Sequence, residues 1–398
     1  ETIDTVLGVL QDRGLSQEQK KERVESIAYE RFDLELISRF VLARNWATMS
    51  EQQRRDFVDA FKKHLSATYR DTLDEYRDEK ITIEGSRPEA RGDVTVMTLV
   101  RQGSGDTKVD YRLRKTDAGV PLYVALYGEG PADVERITGE AEATLERMMD
   151  YFGGALFPFY TVHMELLKPL SDRHSYFFSM EHLLSSTFYL GHDAGLRADS
   201  PAPEAARLRY NFAHHFAHAW IPKRAYGQGY FPHLWETAPV LDTVWFSEGF
   251  AQYAALDALA DAQGSDAAVF RARMVQARFR STLTEVPPYL LRLPLVEVSR
   301  IASTRYSEDF RIGRAAFSRG GLMAAEMDER ILLQSGGQKR LRDALRFLLK
   351  WSQRERRGFR IDELPALFSE ATGVETRDIL EKWLAPYPPP TANAASPK

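Results

Sequence analysis

The segment NFAHHFAHAW places His214 and His218 four residues apart in a stretch of helical periodicity, and this spacing constrains the chain more than any other feature. About one turn, roughly 6 Å of rise, puts both imidazoles on one face, where each can reach a single ion at about 2.0–2.1 Å. Eight of the nine histidines lie between His163 and His233, with only His64 outside. An H-x-x-x-H pair alone is as readily two surface or core histidines. The segment WFSEGFAQY adds Glu248, with Trp245, Phe246, Phe250 and Tyr253 available to bury its helix and hold the carboxylate still. Two histidines, one glutamate and an open position form the catalytic arrangement of zinc, the open position carrying water. His214, His218 and Glu248 are therefore the expected ligands of one zinc ion.

The rest of the composition excludes more than it selects. There are no cysteines, which rules out disulfides, thiolate catalysis and cysteine-type zinc sites. The formal net charge of -4 gives no electrostatic case for a nucleic-acid partner. No apolar run approaches the roughly 20 residues needed to span a bilayer. With 398 residues, 43% hydrophobic and 28% charged, the chain has material for two or three cored domains. It opens on Glu1 rather than Met, so a processed or trimmed N-terminus is expected.

The period of the pattern changes along the chain. The first 75 or so residues read as helices, with Ser50 and Gln53 forming a capping box ahead of an apolar face at Phe57, Phe61 and Leu65. Ile81–Ile83, Asp93–Leu99 and Val109–Arg114 then read as strands separated by Gly and Asp breaks. Leu122–Tyr127 is a further strand, and from Pro131 the pattern is mostly helical. Helices are expected over Ala132–Phe152, Pro203–Trp220, Thr243–Gln263, Ala315–Gln334, Gln338–Gln353 and Ile361–Ala371. The fold class is α+β: a small helical-plus-antiparallel-sheet domain over 1–119, a mainly helical domain over 120–385, and a loose Pro/Ala-rich tail over 386–398.

The second part resembles the glycyl-aminopeptidase-like family of gluzincin zinc metallopeptidases, with a thermolysin-like domain. That family's helix reads H-E-x-x-H followed by a Trp and a Lys-Arg pair, matched here by His214, His218, Trp220, Lys223 and Arg224. Its E-G motif is matched by Glu248-Gly249. Ser179, Met180, Glu181 and His182 resemble its substrate-binding edge strand, and Phe317 to Gly321 track its C-terminal region, with Gly320 and Gly321 as implied substrate contacts. The resemblance covers roughly 122–385 and leaves out the family's β-rich N-terminal domain. It implies one zinc ion and a peptide or protein ligand at the cleft.

Two positions depart from the family. The glutamate of H-E-x-x-H is the general base that takes a proton from metal-bound water; here His215 stands in its place. A neutral imidazole has a base's intrinsic pKa, near 6.5, but lacks the negative charge. The family's oxyanion-stabilising Tyr is matched by Phe317, which has no hydroxyl, leaving Tyr253, Tyr306 or His182 as substitutes. Losing a general base costs about 10²–10⁴ in rate, and losing an oxyanion donor about 10²–10³, though such losses need not multiply.

The segment Phe32 to Tyr69 and the sheet through Val109 to Arg114 resemble the toluene-tolerance/MlaC family of periplasmic phospholipid carriers. The matching features are Phe32-Asp33, Leu42-Ala43-Arg44-Asn45-Trp46 and the helix beginning Glu51. The resemblance implies a phospholipid ligand and a periplasmic or secreted location. The family's final strand is only loosely echoed by Val120–Tyr123, so the module is truncated or shares that strand with the second domain. Read from the residues alone, the same side chains simply fill a small α+β core.

Three functional readings follow. In the first, a lipid-carrier-like module is joined to a zinc-binding, peptidase-like domain of low or no activity, a pseudoenzyme. In the second, the domain is an active zinc aminopeptidase with His215 as base. In the third, a lipid shuttle carries a metal-free interaction scaffold.

Overall fold

A computed structural model describes residues 2–42, 46, 49–70, 80–88, 94–102, 105–115, 119–128, 132–168, 170–171, 174, 176–191, 196–197, 199–231 and 239–387. Ala43-Arg44-Asn45, Gly92, Ala118, His192, His233 and the tail beyond Tyr387 lie outside these residues. The chain divides into two compact units, Glu1–Ser86 with Val96–Val109 and Arg87–Thr95 with Asp110–Lys398.

The first unit carries helices α1 (Thr2–Gln11), α2 (Gln17–Arg31), α3 (Leu34–Leu42) and α4 (Glu51–Arg70), followed by strands β1 (Lys80–Pro88) and β2 (Val94–Gln102). Strand β3 (Gly105–Lys115) begins in this unit. Local chemistry sets the helix starts. The Ser50 hydroxyl accepts from the Gln53 amide at 3.2 Å while the Ser50 amide donates to Gln53 Oε1 at 2.8 Å, the reciprocal pair expected before α4. Ser16 and Gln19 repeat the device before α2. Burial is sparse: Phe57, Phe61 and Leu65 on α4 are only half-buried, and Leu10, Leu34, Ser38, Trp46 and Thr98 are the buried residues of this unit among those described.

In the second unit, β4 (Pro121–Gly128), β5 (Tyr160–Leu167), β6 (Phe177–Glu181) and β7 (Ser185–Gly191) form a sheet in the order β4-β5-β7-β6. β4 and β5 are parallel, as are β5 and β7, whereas β6 runs antiparallel to β7 and ends the sheet. Helix α5 (Val134–Phe152) connects β4 to β5. Asp133 caps it, accepting from the Arg136 amide, and Gly153 at φ 83 stops it in a left-handed conformation that suits glycine. The region after Pro131 is mostly helical as expected, and strands β5 and β7 are set within it. In β5, Tyr160, Val162, Met164 and Leu166 point inward and alternate with partly exposed Thr161, His163, Glu165 and Leu167, a strand period inside helical text.

The remaining helices of eight or more residues are α6 (Ala202–Ala217), α7 (Ala251–Asp261), α8 (Ala267–Val275), α9 (Leu295–Arg305), α10 (Phe310–Gln334), α11 (Leu341–Glu355), α12 (Leu364–Thr372) and α13 (Arg377–Leu384). A wide π-helical turn, Trp245–Phe250, leads into α7 and packs closely on α10. Glycine makes that approach possible. A Cβ on Gly320 would lie 2.0 Å from the Trp245 carbonyl oxygen, and one on Gly249 would lie 2.5 Å from Gly320 Cα. Behind this crossing, Asp257 and Asp328 are buried around Arg340, which reaches Asp257 at 3.0 Å and also pairs with Asp328; Arg271 meets Asp257 at 2.6 Å. The two carboxylates are held in the interior by these cations and, for Asp328, by the Leu341 amide, while Asp257 Oδ2 has no hydrogen-bond partner among the described residues.

Candidate metal centre

His214 lies in the last turn of α6 and His218 just past its end, where the backbone turns through Ala219 to Arg224. Aromatic packing holds that turn: Trp220 stacks on Phe152 at 4.8 Å, meets Phe157 edge-on at 5.1 Å, and donates from Nε1 to the Gly154 carbonyl at 3.1 Å. Such pairs add about 0.5–1.5 kcal/mol each beyond burial. The fixed turn brings the Ile221 carbonyl 2.9 Å from His218 Nδ1. A carbonyl only accepts, so Nδ1 carries a proton, and the tautomer this selects has its lone pair on Nε2, as in metal-ligating histidines. Glu248 comes from the π-turn, which is anchored by Trp245 donating to the Asp242 carbonyl and by Phe246 packed on Phe359.

The three side chains converge. His214 Nε2 lies 3.0 Å from His218 Nε2 and 3.2 Å from Glu248 Oε2, and His218 Nε2 lies 3.7 Å from the same oxygen. Burial pushes the Glu248 carboxyl up to about 7 and the His214 imidazole down to about 4. Both shifts express the cost of charge in a partly desolvated site: a bound cation would relieve it for the Glu248 carboxylate, while His214 is already held in the neutral form a metal ligand requires. A bare Nε2, a second imidazole and a half-buried carboxylate within reach of one point fit a divalent metal such as zinc.

His215 turns elsewhere. Its Nε2 lies 2.6 Å from Ser179 Oγ on β6, its Nδ1 lies 3.9 Å from Glu181 Oε2, and its ring meets Phe188 edge-on at 5.1 Å. Burial holds its pKa well below the ordinary value, with the neighbouring histidines adding to the effect. Glu181 is brought down to about 2: burial works against ionisation but is outweighed by His218, Lys223 and His215. Lys223 Nζ stands 3.8 Å from Glu181 Oε1 and 3.3 Å from the Tyr230 hydroxyl.

The other expected site residues divide. Ser179 and Glu181 face His215, whereas Met180 points to the opposite side of β6, 45% exposed, and His182 is exposed just beyond the strand. Tyr253 is fully buried and donates to Asp328 at 2.5 Å, which commits its hydroxyl to the buried ion cluster and away from the tripod. Gly320 and Gly321 are packing glycines: a Cβ on Gly321 would lie 2.5 Å from the Phe279 ring, so no room remains there for a ligand. Phe317 packs on Tyr306 at 5.6 Å. The phenol of Tyr306 is raised by burial and then by the charge of Glu248, so it sits within the field of that carboxylate. Gly313 makes room for that ring, since a Cβ there would lie 2.2 Å from it. Tyr210, Tyr230 and Arg278 were not anticipated. Tyr210 lies one turn before His214 with its hydroxyl buried and unpartnered, and Arg278 covers its ring at 4.2 Å. The i, i+4 spacing of Tyr210 from His214 is the one sequence signal for it.

Residues 1–124 match the family model described as MlaC protein, and residues 207–285 match that of the M61 glycyl aminopeptidases. No curated protein matches the chain. Among solved structures, an aminopeptidase N family protein from Idiomarina loihiensis superposes with a TM-score of 0.59 at 18% identity, over 69% of this chain and 46% of that one. An M1 zinc metallopeptidase from Deinococcus radiodurans gives 0.43 at 20% identity, over 77% and 61%. A mutant of the M1 enzyme bound to a Tyr-Ser-Ala substrate gives 0.44 at 20%, over 79% and 62%. The chain thus spans less than half of the first structure's length, and the likeness is one of fold. The chain carries an MlaC-like part and a peptidase-like part, and among the described residues no helix is long and apolar enough to cross a membrane.

Proposed function

We propose that this is a periplasmic protein joining a phospholipid-carrier-like module to a zinc-binding, peptidase-shaped domain that binds a polypeptide rather than cleaving it by the usual metallopeptidase route. The observation that carries the reading is the orientation of His215. In the position where the family has its carboxylate base, this chain has an imidazole bonded to Ser179 on the edge strand. His214, His218 and Glu248 would hold the zinc, which when bound supplies Lewis acidity to a carbonyl or amine. Glu181, anionic and half-buried beside Lys223, orients what enters.

The edge strand supports a polypeptide ligand. Tyr176 and His182 bond to β7 through their backbones, so by ladder parity the amides and carbonyls of Phe177, Ser179 and Glu181 point away from it. An extended segment pairing there is an added strand. The lipid part of the reading is supported by the MlaC match and by the half-buried apolar stripe of α4, which a lipid chain would complete.

Zinc content and peptide hydrolysis test the reading together. The purified chain should hold about one zinc, and its aminopeptidase turnover should rise at least tenfold in His215→Glu, which restores the missing carboxylate. Wild-type turnover typical of peptidases, about 1–10³ per second, abolished in His218→Ala, would sink the proposal in favour of an active enzyme. Mass spectrometry of lipids that copurify from native membranes and periplasm tests the first module.

A further inference from the structure

Ser179, His215 and Glu181 stand in the order of a nucleophile, a base and a carboxylate on the far side of the base. Ser179 and Glu181 are two apart on β6, so their side chains leave one face of the edge strand, and His215 meets both from α6. Ser179 Oγ lies 2.6 Å from His215 Nε2. Glu181 Oε2 lies 3.9 Å from His215 Nδ1, which is buried and has no hydrogen-bond partner. A carboxylate beside Nδ1 favours the tautomer that carries its proton there, leaving Nε2 bare to accept from the serine hydroxyl. The reverse tautomer would set the lone pair of Nδ1 against the Glu181 oxygens, two acceptors facing each other in a buried site. Packing against Phe188 fixes the ring, and His215 is 7% exposed whereas Ser179 is half-buried on an outer strand. The nucleophile is reachable and the base is shielded. Phe177, 64% exposed, shares the face of β6 with Ser179.

We propose that Ser179, His215 and Glu181 form a serine-nucleophile triad that attacks acyl or phosphonyl centres without metal-bound water, with apolar acyl esters favoured by Phe177. In the capture step Ser179 Oγ attacks the carbonyl carbon and its proton passes to His215 Nε2. Collapse of the tetrahedral adduct expels the alcohol, which takes that proton as it leaves, and Ser179 is left esterified. No electrons are exchanged and no further reactant is needed. With a fluorophosphonate the same attack forms an Oγ–P bond, breaks the P–F bond and releases fluoride, while the proton passes through His215 to solvent. This extends the zinc reading without depending on it.

The experiment treats the full chain with an alkyl fluorophosphonate and locates the adduct by peptide mass spectrometry. The expected result is one adduct on Ser179, absent in Ser179→Ala, formed about 100-fold more slowly in His215→Gln, and retained in EDTA. An unlabelled wild type, an adduct elsewhere, or loss of labelling in EDTA from protein that is still folded overturns the triad. A chain without zinc that still labels at Ser179 sinks only the metal reading. Because the sequence has no cysteine, Ser179→Cys supplies a single thiol and a second test. Iodoacetamide at neutral pH should alkylate it about tenfold faster than the thiol of Ser179→Cys/His215→Gln; equal rates refute the pairing.

Discussion

Replacing Gly320 by Ala tests whether the close crossing of α10 and the π-turn is what holds Glu248 in reach of the histidines. The new Cβ would lie 2.0 Å from the Trp245 carbonyl oxygen and 3.1 Å from its Cα. Carbon–oxygen contacts between packed backbones run about 3.3–3.6 Å, so the two helices must part by roughly 1.3 Å or more. Both atoms it meets are backbone of a buried element, so no side-chain tip can swing aside to absorb the clash. Overpacking of this kind costs about 1–3 kcal/mol, occasionally more, and the better helix propensity of Ala returns at most about 1 kcal/mol. A net loss of about 2 kcal/mol lowers the melting temperature by roughly 4–8 °C in a unit of this size. Glu248 is in the same turn as Trp245, and its 3.2 Å approach to His214 would open with the helices. Zinc affinity should fall about 10–100-fold, the scale set by loss of ligand positioning. Thermal denaturation and competition with a chromophoric chelator read the two effects. Gly8→Ala, whose Cβ would meet nothing within 4 Å, is the control. If Gly320→Ala melts with the wild type and binds zinc equally well, the crossing does not position the carboxylate.

Three further outcomes follow from the same geometry. His218→Ala removes a ligand whose orientation the Ile221 carbonyl fixes, and zinc affinity measured by isothermal titration should drop by more than about 100-fold; a smaller loss would move the metal away from His218. Arg340→Met leaves Asp257 and Asp328 buried without their shared cation, and denaturant unfolding should show a loss of about 3–5 kcal/mol; an unchanged midpoint would mean the cluster is hydrated. Hydrogen bonding to Arg357 outweighs partial burial and brings the Glu363 carboxyl down to about 2, below its unfolded value of about 4.3. Its contribution is therefore complete above pH ~4.3 and is lost as pH falls toward 2. The stability gap between wild type and Glu363→Gln should narrow between neutral pH and pH 3, and a gap that widens there contradicts the assignment.

The sequence carried what depends on local spacing. H-x-x-x-H on a helix, E-G after it and the Ser50–Gln53 box are patterns within one or two turns, and each takes the conformation its spacing implies. Strands β5 and β7 were harder to read because each is short and lies among helical text, and only partners distant in sequence make them a sheet. The direction of His215 was not legible at all, since Ser179 lies 36 positions away and reaches it only because β6 pairs with β7. Tyr253 and Gly320 misled for the opposite reason. Their surroundings suggested chemistry, but Asp328 claims the hydroxyl and Trp245 fills the space beside the glycine.

The turn Trp245–Phe250 is wound as a π-helix, which is equivalent to an α-helix with one residue inserted. One residue corresponds to about 100° of rotation, so the widened turn sets the phase between Glu248 within it and Tyr253 and Asp257 on the α-helix that follows. With this phase Glu248 faces the two histidines while Tyr253 and Asp257 face Asp328 and Arg340. Deleting a single residue here would relax the turn to an ordinary α-helix, yet only one of the two faces could keep its partners. The His214–His218–Glu248 cluster and the buried ion cluster are thereby geared together, and the register of one cannot be adjusted without disengaging the other.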